Sequence, residues 1–259
     1  EHMLPQMQDL VNRYHPDIFW TDGEWEHPSS VWKSTQFLTW LFNDSPVGST
    51  VAVNDRWGQE TRGHHGGYYT TEYDLVGDEN AKDKKIKHPW EECRAIGGSF
   101  GLNRNESLAD YNTSGGLIHI LVEKVAKGGN LLLDIGPRAD GTIPVIMQQR
   151  LTDMGDWLKV NGEAIYDTQQ WDAAPAKTAK DVFFTQKGKN IYVLCNHFPA
   201  KPITITNIDR PQKVSLLGYG NVNYNYKKGT LVINTPLKAQ LAGKYTWVFK
   251  LEDAGNNSR

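Results

Sequence analysis

The hydrophobic period of this sequence changes near residue 171, and no other feature restricts the possible folds as much. Before that point, apolar residues recur at helical spacing between short runs of consecutive apolar residues. This pattern indicates helices that alternate with buried strands. After that point, apolar and polar residues alternate, which is typical of strands with one buried face. The sequence therefore predicts a mixed α/β region followed by an all-β region.

The first region predicts a short series of strands and helices, interrupted by residues 59–115, where little periodicity is present. A connection of that length is usually functional or disordered, and its many aromatic residues argue against disorder. The expected elements, in chain order, are a helix from Leu4 to Tyr14, a strand at 18–20 buried on both faces, a helix from Ser29 or Ser30 to Phe42, a strand at 50–54, a helix from Gly116 to Gly128, a strand at 130–135 and a helix from Pro144 to Val160.

The second region predicts seven short strands, joined in places by hairpin turn signals such as Lys187–Asn190. Strands of this length and spacing favour an antiparallel β-sandwich. The expected strands are 181–186, 190–197, 203–208, 213–217, 222–227, 230–234 and 245–251. We therefore divide the chain into residues 1–168, a partial (β/α)8-like catalytic domain, and residues 169–259, a C-terminal β-sandwich domain.

The number of strand–helix units in the first region is too small for a closed barrel. Only three or four units precede the sandwich, whereas a (β/α)8 barrel needs eight units and about 250 residues. The expected fold class is α/β, the C-terminal part of a (β/α)8-like (TIM-type) barrel. A small open α/β sheet is the alternative, although no phosphate-binding glycine pattern follows a first strand. Because Met3 lies inside a helical pattern, we expect a fragment or a processed product.

Composition excludes several classes of function. The formal net charge is −2 with both signs interspersed, so nucleic acid is not an expected partner. No stretch approaches the roughly 20 apolar residues of a membrane helix, so no membrane partner is expected. Cys93 and Cys195 are too few for a disulfide framework. The adjacent His64 and His65 lack the spacing of metal ligands, so neither a metal nor another cofactor is predicted.

Several carboxylates could carry acid–base or nucleophilic chemistry. Asp22 follows the strand at 18–20, and strand ends line the active sites of parallel barrels. Glycoside hydrolysis needs two acids, one ionised and one protonated, in different environments. Asp22 suits the ionised role, whereas Glu72 and Glu91, each among aromatic residues, suit the acid/base role. The competing carboxylates are Glu24, Glu26, Asp55 and Asp134.

Aromatic and basic residues near the same strand ends are candidates for sugar binding. Nine Trp and eleven Tyr are many for this length, and rigid aromatic faces commonly hold sugars. Trp20 and Trp57 are the expected stacking residues, because each lies at the end of a predicted strand. Arg56 is expected to hold a carboxylate or hydroxyl groups, and His65 to hydrogen-bond near the sugar.

Eight motifs, in the same order, resemble those of the family 29 α-L-fucosidases. They are Trp20–Trp25 (WTDGEW), Asn43–Pro46 (NDSP), Asn54–Gly58 (NDRWG), His64–Tyr69 (HHGGYY), Pro89–Glu91 (PWE), Gly128–Leu133 (GGNLLL), Ile135–Pro137 (IGP) and Asn161–Tyr166 (NGEAIY). The resemblance implies a somewhat irregular barrel followed by a β-sandwich. It also implies retaining hydrolysis of terminal α-L-fucose through a covalent fucosyl-enzyme.

The resemblance also implies roles for individual residues. By position, Asp22 resembles the nucleophile, Trp20 the pocket aromatic two residues before it, and Arg56 a pocket arginine. Glu72 resembles the acid/base of bacterial members, and Glu91 resembles the glutamate proposed in animal-type members. We prefer Glu72, because it follows the Arg56 strand end at an interval similar to that in the bacterial members.

Two departures from the family affect what this chain can do. Asp134 stands where many members have Asn. No residue here matches the fucose-gripping residues of the family's amino-terminal half, so we expect weak or no activity from this chain alone. The expected partner is a fucosylated oligosaccharide or glycoconjugate, homo-oligomerisation is left open, and export to a periplasm, lysosome or medium is expected. The alternatives are a non-catalytic carbohydrate-binding relative and a metal-dependent hydrolase using His64 and His65.

Overall fold

The computed structural model describes residues 2–73, 88–174, 181–237 and 243–255, which form two compact units, Glu1–Cys93 and Arg94–Arg259. The helices are α1 (Met3–Tyr14), α2 (Ser29–Trp32), α3 (Ser34–Asn43), α4 (Ser114–Ala126) and α5 (Val145–Asn161). The strands are β1 (Ile18–Phe19), β2 (Ala52–Val53), β3 (Tyr69–Glu72), β4 (Trp90–Ala95), β5 (Gly129–Asp134), β6 (Gln169–Gln170), β7 (Val182–Lys187), β8 (Asn190–Cys195), β9 (Ile203–Thr206), β10 (Lys213–Leu216), β11 (Gly220–Asn221), β12 (Tyr224–Lys227), β13 (Thr230–Ile233) and β14 (Trp247–Glu252).

Strands β1 to β4 are parallel neighbours in chain order. Strand β1 pairs with β2, and Ile18 lies opposite Ala52. A parallel bridge joins Asn54, just after β2, to Tyr68, just before β3. Strand β3 pairs in parallel with β4. Parallel strands in this order carry their C-terminal ends at one edge, where the side chains that follow each strand come together.

Helices α1 and α3 supply the apolar core of the first unit. Val11 of α1, Phe37 and Leu41 of α3, and Val53 of β2 are at most 6% exposed and belong to one cluster. Trp57, four residues after the end of β2, belongs to the same cluster. The predicted helix at the amino-terminal end is therefore confirmed, although Leu10 and Tyr14, which contributed to its apolar spacing, are exposed.

The predicted strand at 18–20 is shorter and less buried than expected. Strand β1 contains only two residues, and Ile18 is 55% exposed. Phe19 packs toward the core, with its ring centroid 5.2 Å from that of Phe37. The prediction of burial on both faces was wrong, because a run of apolar residues does not show which of them the neighbouring elements cover.

The predicted helix from Ser29 to Phe42 is divided into two. Lys33 has a left-handed backbone with φ of 57°, and its N–H donates to the carbonyl of Ser29, which ends α2. Helix α3 then begins at Ser34. The prediction of one continuous helix was wrong, because the apolar spacing does not report the backbone conformation of a single residue.

Two strands lie within the region that was predicted to be irregular. Strands β3 and β4 contain polar residues that the fold buries, such as Thr70, Thr71 and Glu92, at 1%, 3% and 0% exposure. The hydroxyl of Thr71 donates to the carboxylate of Glu92. Because polar residues occupy several of the buried positions, next to the apolar Trp90, Cys93 and Ala95, hydrophobic periodicity did not indicate these strands. The rest of that region includes residues 74–87, which lie outside the described residues.

The second unit contains α4, α5 and a strand, as predicted. The Thr113 hydroxyl accepts from the N–H of Gly116 at 3.0 Å and caps the first turn of α4. Gly128, with φ of 83°, follows the end of the helix. Ile96 donates its N–H to the carbonyl of Asp134 at the end of β5. None of the helices in the described residues is long and apolar enough to cross a membrane.

All seven strands predicted after residue 171 are confirmed. They form two antiparallel sheets, in the orders β11-β10-β14-β8-β7-β6 and β12-β13-β9, with β6 and β11 as two short additions. Val193 and Phe249 of the larger sheet and Ile205 and Leu231 of the smaller sheet are fully buried in one core. Cys93 and Cys195 are both buried.

Candidate active site

One face of the parallel strands gathers the polar side chains of the site. Alternate residues of a strand share a face, so Tyr68, Thr70 and Glu72 point the same way. Thr70 lies opposite Glu91 in the register of β3 and β4, which places Glu91 on that face too. Arg56 reaches the same face, since its Nε donates to the Thr70 hydroxyl at 2.9 Å.

Arg56 is the centre of this cluster. Its side chain is only 1% exposed, and it donates from Nη1 to Asp22 Oδ1 at 2.7 Å and from Nη2 to Glu72 Oε2 at 3.3 Å. Burial opposes the charge of Arg56, but the hydrogen bond to Asp22 and the nearby charges of Glu24, Asp22 and Glu72 raise its pKa above the ordinary value. One buried guanidinium therefore joins two of the predicted catalytic carboxylates.

The loop that carries Asp22 is fastened to the end of β2. The hydroxyl of Thr21 donates to the carbonyl of Arg56 at 2.5 Å, and the side-chain amide of Asn54 donates to the carbonyl of Thr21 at 2.7 Å. Gly23, with φ of 90°, turns the chain directly afterwards. These contacts leave the Asp22 side chain 53% exposed, so its second oxygen is open to solvent or substrate.

Asp55 is fully buried and accepts hydrogen bonds from the backbone of the site. Its Oδ1 accepts from the Thr70 N–H at 3.1 Å and the Thr70 hydroxyl at 2.8 Å, and its Oδ2 accepts from the Gly63 N–H at 2.7 Å. These contacts occupy both oxygens of this competing carboxylate, and they connect β3 to the turn after β2.

Glu91 lies in a pocket of buried polar atoms next to Trp20 and Tyr68. Burial raises the pKa of Glu91 above its ordinary value, while Trp20, Tyr68 and Arg56 act in the opposite direction. One Glu91 oxygen, the Trp20 indole N–H and the Tyr68 hydroxyl are each buried without a hydrogen bond of normal geometry. The pKa of Tyr68 is also raised, by burial and by the neighbouring Glu91. These buried polar groups are therefore available to bind a proton or to form hydrogen bonds with a substrate.

The two predicted stacking residues have different positions. The Trp20 ring lies 4.5 Å from the guanidinium carbon of Arg56, a cation–π contact at the site. Trp57 is 5% exposed, stacks in the core with Phe37 and donates its indole N–H to the Asn54 carbonyl at 2.7 Å. Trp57 also lines a cavity of about 80 Å³ together with Asp22 and Arg56.

Of the other sequence candidates, two are exposed and one belongs to the second unit. His65 is exposed, and its backbone N–H donates to the Thr61 carbonyl at 2.8 Å. Glu26 is also exposed. Asp134, at the end of β5, belongs to the second unit. Within the ranges that the structure describes, no group of three His, Cys, Asp or Glu side chains is placed to hold a metal ion.

Sequence reasoning missed three residues of the cluster: Arg62, Tyr68 and Thr70. Arg62 approaches Glu72 Oε2 at 3.9 Å and Glu24 Oε1 at 3.6 Å. Tyr68 and Thr70 precede Glu72 by four and two residues, so recognition of β3 as a strand would have placed all three on one face. No sequence pattern indicates a role for Arg62, because its ion-pair partners, Glu24 and Glu72, lie in other segments of the chain.

A pair of carboxylates at the C-terminal ends of parallel strands is the arrangement that a barrel glycoside hydrolase requires. The family model described as "Alpha-L-fucosidase" matches residues 1–163, and the one described as "Alpha-L-fucosidase C-terminal domain" matches residues 176–252. The chain therefore belongs to the α-L-fucosidase family.

Individual relatives agree with the family match. The chain is 40% identical over 258 residues to the tissue alpha-L-fucosidase of Homo sapiens, covering 96% of this chain and 54% of the relative. It is 39% identical over 257 residues to the alpha-L-fucosidase of Branchiostoma floridae, covering 96% and 56%. The crystal structure of Thermotoga maritima alpha-fucosidase in complex with fucose superimposes with a TM-score of 0.75 at 32% identity, covering 96% and 55%. The chain thus spans about half the length of the relatives that it matches.

Proposed function

We propose that the natural protein containing this chain is an α-L-fucosidase that hydrolyses terminal α-L-fucose with retention of configuration. The observation that carries the proposal is the binding of Asp22 and Glu72 to the two terminal nitrogens of Arg56. Retaining hydrolysis requires two carboxyl groups about 5–5.5 Å apart. Attachment to one guanidinium keeps the two side chains close, and the family match supports the substrate.

Asp22 is the proposed nucleophile. Arg56 orients one of its oxygens, and the half-exposed side chain leaves the other oxygen free to attack the anomeric carbon. Attack forms a bond between Asp22 and that carbon, breaks the glycosidic bond and sends the electron pair to the leaving oxygen. The Trp20 ring, held against Arg56, offers a face for the sugar.

Glu72 is the proposed acid/base. It lies at the C-terminal end of β3, where barrel active sites open, and its side chain is 31% exposed. As an acid it gives its proton to the leaving oxygen. As a base it then removes a proton from water, which attacks the anomeric carbon, releases fucose and frees Asp22.

Glu91 is a second candidate for the acid/base. Burial raises its pKa, which favours the protonated form that a general acid needs. It lies opposite Thr70, two residues before Glu72 in the register, and therefore deeper along the strands. Its greater depth is the reason that we still prefer Glu72.

We also propose that residues 1–168 are the C-terminal part of a (β/α)8-like barrel and that residues 169–259 are a β-sandwich domain. The parallel order of β1 to β4 supports the first assignment. The two antiparallel sheets and the separate family match to residues 176–252 support the second. The proposed substrate is a fucosylated oligosaccharide or glycoconjugate. Export is also proposed, supported by relatives named as tissue and plasma enzymes.

The test uses an aryl α-L-fucoside and the natural full-length protein. Wild type, Asp22→Ala, Glu72→Ala and Glu91→Ala are compared with Asp9→Ala, which removes an exposed carboxylate on α1 as a matched control. We expect Asp22→Ala to lose at least about 10³-fold in kcat and to yield a β-fucosyl azide when azide is added. An α-fucosyl azide from one of the two Glu variants identifies the acid/base.

Near-normal turnover by Asp22→Ala would contradict the proposed nucleophile. Fucose binding without any turnover by the wild type would instead indicate a carbohydrate-binding relative. Loss of wild-type activity on addition of a chelator would indicate metal-dependent hydrolysis, which the two-carboxylate mechanism does not need.

A further inference from the structure

Arg62 and Glu24 extend the charge cluster beyond the proposed catalytic residues. Arg62 Nη2 approaches Glu72 Oε2 at 3.9 Å, and its Nη1 approaches Glu24 Oε1 at 3.6 Å. Arg62 Nε donates to the Thr70 carbonyl at 3.5 Å. Five charged groups of alternating sign therefore follow one another, from Asp22 through Arg56, Glu72 and Arg62 to Glu24.

Glu24 is the buried end of this series of charged groups. Its side chain is only 4% exposed, and its second carboxylate oxygen is buried without a hydrogen-bond partner. A buried carboxylate without a nearby cation is strongly unfavourable, so Glu24 and Arg62 depend on each other. Glu24 lies in the short turn after Asp22, and Arg62 lies in the turn after Trp57. The pair therefore links the loops that carry the proposed nucleophile and Arg56.

We propose that Arg62, held by buried Glu24, is a positioning residue that orients the Glu72 carboxylate and places a second guanidinium group beside it. Two guanidinium groups contact the same Glu72 oxygen, and only Arg56 also contacts Asp22. A nearby cation favours the ionised form of a carboxylate. This inference rests on the proposed assignment of Glu72 as the acid/base.

Other titratable groups on the surrounding elements contribute to the environment of Glu72. Among the described residues, they are Asp22 and Glu24 after β1, Asp55 and Arg56 after β2, Arg62, His64 and His65 in the next turn, Tyr68 and Tyr73 on either side of β3, and Glu91, Glu92, Cys93 and Arg94 on β4. Arg56 and Arg62 are the cations of this set whose guanidinium groups approach Glu72 Oε2. Removal of Arg62 takes away one of these two groups and leaves the contact between Asp22 and Arg56 in place.

The test measures the pH dependence of kcat/KM for an aryl α-L-fucoside in the natural full-length protein. The basic limb of this profile follows deprotonation of the free enzyme's general acid. In Arg62→Met we expect that limb to move to higher pH by about 0.5–1 unit, because a cation near the acid has been removed. Arg62→Lys, which keeps the charge, is expected to retain most of the wild-type profile. Arg13→Met breaks an exposed ion pair on α1 and is the matched control.

A paired variant separates this role from a purely structural one. Arg62→Met removes the ion-pair partner of buried Glu24, which lowers the melting temperature. The double variant Glu24→Gln/Arg62→Met also removes the buried negative charge, so we expect partial recovery of the melting temperature while the basic limb stays shifted. Recovery of both the melting temperature and the wild-type pH profile in the double variant overturns the inference.

Failure of the inference differs from failure of the proposed function. Normal turnover by Glu72→Ala overturns the positioning role of Arg62 together with the Glu72 assignment, and it leaves the fucosidase proposal standing. Absence of turnover by the wild type overturns the fucosidase proposal itself. An unshifted profile in Arg62→Met, with Asp22 and Glu72 both essential, overturns only the role of Arg62.

Discussion

At the scale of single residues, the acids of the site differ in what the fold attaches to them. Asp55 is fully occupied by backbone and hydroxyl donors, whereas Asp22 and Glu72 share Arg56 and remain partly exposed. Glu91 is enclosed beside Trp20 and Tyr68. The same residue type thus has a structural role, a proposed catalytic role or a raised pKa according to its neighbours.

The raised pKa of Glu91 predicts a pH-dependent effect on stability. Burial raises the pKa above its ordinary value near 4.5, so ionisation of Glu91 is harder in the folded protein than in the unfolded chain. The contribution of neutral Glu91 to stability is complete below the unfolded pKa and is lost as the pH rises through the folded pKa. Glu91→Gln cannot ionise. We therefore expect the melting temperature of this variant, relative to that of the wild type, to increase as the pH rises.

The measurement follows melting temperatures from about pH 4 upward to about pH 8, the direction in which the raised pKa of Glu91 reduces the stability of the wild type. Glu26→Gln, which alters an exposed carboxylate, is the control and is expected to show no such change. An equal difference between Glu91→Gln and the wild type at both pH values would show that Glu91 ionises as easily in the folded protein as in the unfolded chain.

At the scale of elements, the close contact between the end of β2 and the start of β3 allows the site to form. The Gly67 N–H donates to the Asn54 carbonyl at 3.2 Å, next to the bridge between Asn54 and Tyr68. A Cβ atom on Gly67 would lie 1.6 Å from the carbonyl oxygen of Val53. Only glycine lets the chain approach β2 this closely, and this approach places Thr70 and Glu72 beside Arg56.

Gly67→Ala is therefore expected to push β3 away from β2. The added methyl group meets backbone, which cannot rotate aside, so we expect a loss of roughly 1–3 kcal/mol or more in the free energy of unfolding. Binding of fucose should weaken as well, because the Arg56 contacts depend on the same close contact between β2 and β3. Urea unfolding and fucose titration test both effects. Gly101→Ala, where a Cβ meets no atom within 4 Å, is the control, and equal behaviour of the two variants would contradict the expectation.

At the scale of the whole molecule, the described structure has two compact units, and each contains a separate core. The residues proposed for catalysis all belong to the first unit. Family models match both the mixed α/β part and the all-β part of the chain. Stability of the all-β part and chemistry at Arg56 are therefore open to separate measurement.

Ile205→Ala tests this separation. Ile205 is fully buried in the core between the two antiparallel sheets, so its truncation should cost about 2–5 kcal/mol of unfolding free energy. Below the melting transition we expect kcat/KM of the natural full-length protein to stay within about twofold of the wild type, because the site residues are unchanged. Leu237→Ala is the control at a side chain that is 96% exposed. A large loss of kcat/KM in folded Ile205→Ala would show that the site depends on this core.

Local pattern was sufficient for a large part of the fold. The seven later strands and the helices α1, α4 and α5 were predictable, because each buries apolar residues at a regular spacing. Strands β3 and β4 were not, because polar residues, Thr70, Thr71 and Glu92, take up several of their buried positions and interrupt the apolar pattern. The division between α2 and α3 was not predictable either, since it depends on the left-handed backbone of Lys33.

The sequence by itself determined the order of the elements, the change from an α/β to an all-β pattern, and the family motifs that contain Asp22, Arg56 and Glu91. Only the tertiary structure decided which acids meet Arg56, that Glu24 and Arg62 are paired, and that Trp57 lies in the core. The physical reason is the range of the interactions. Periodicity arises from neighbours within one element, whereas ion pairs and burial depend on groups that are distant in the chain and meet only after folding.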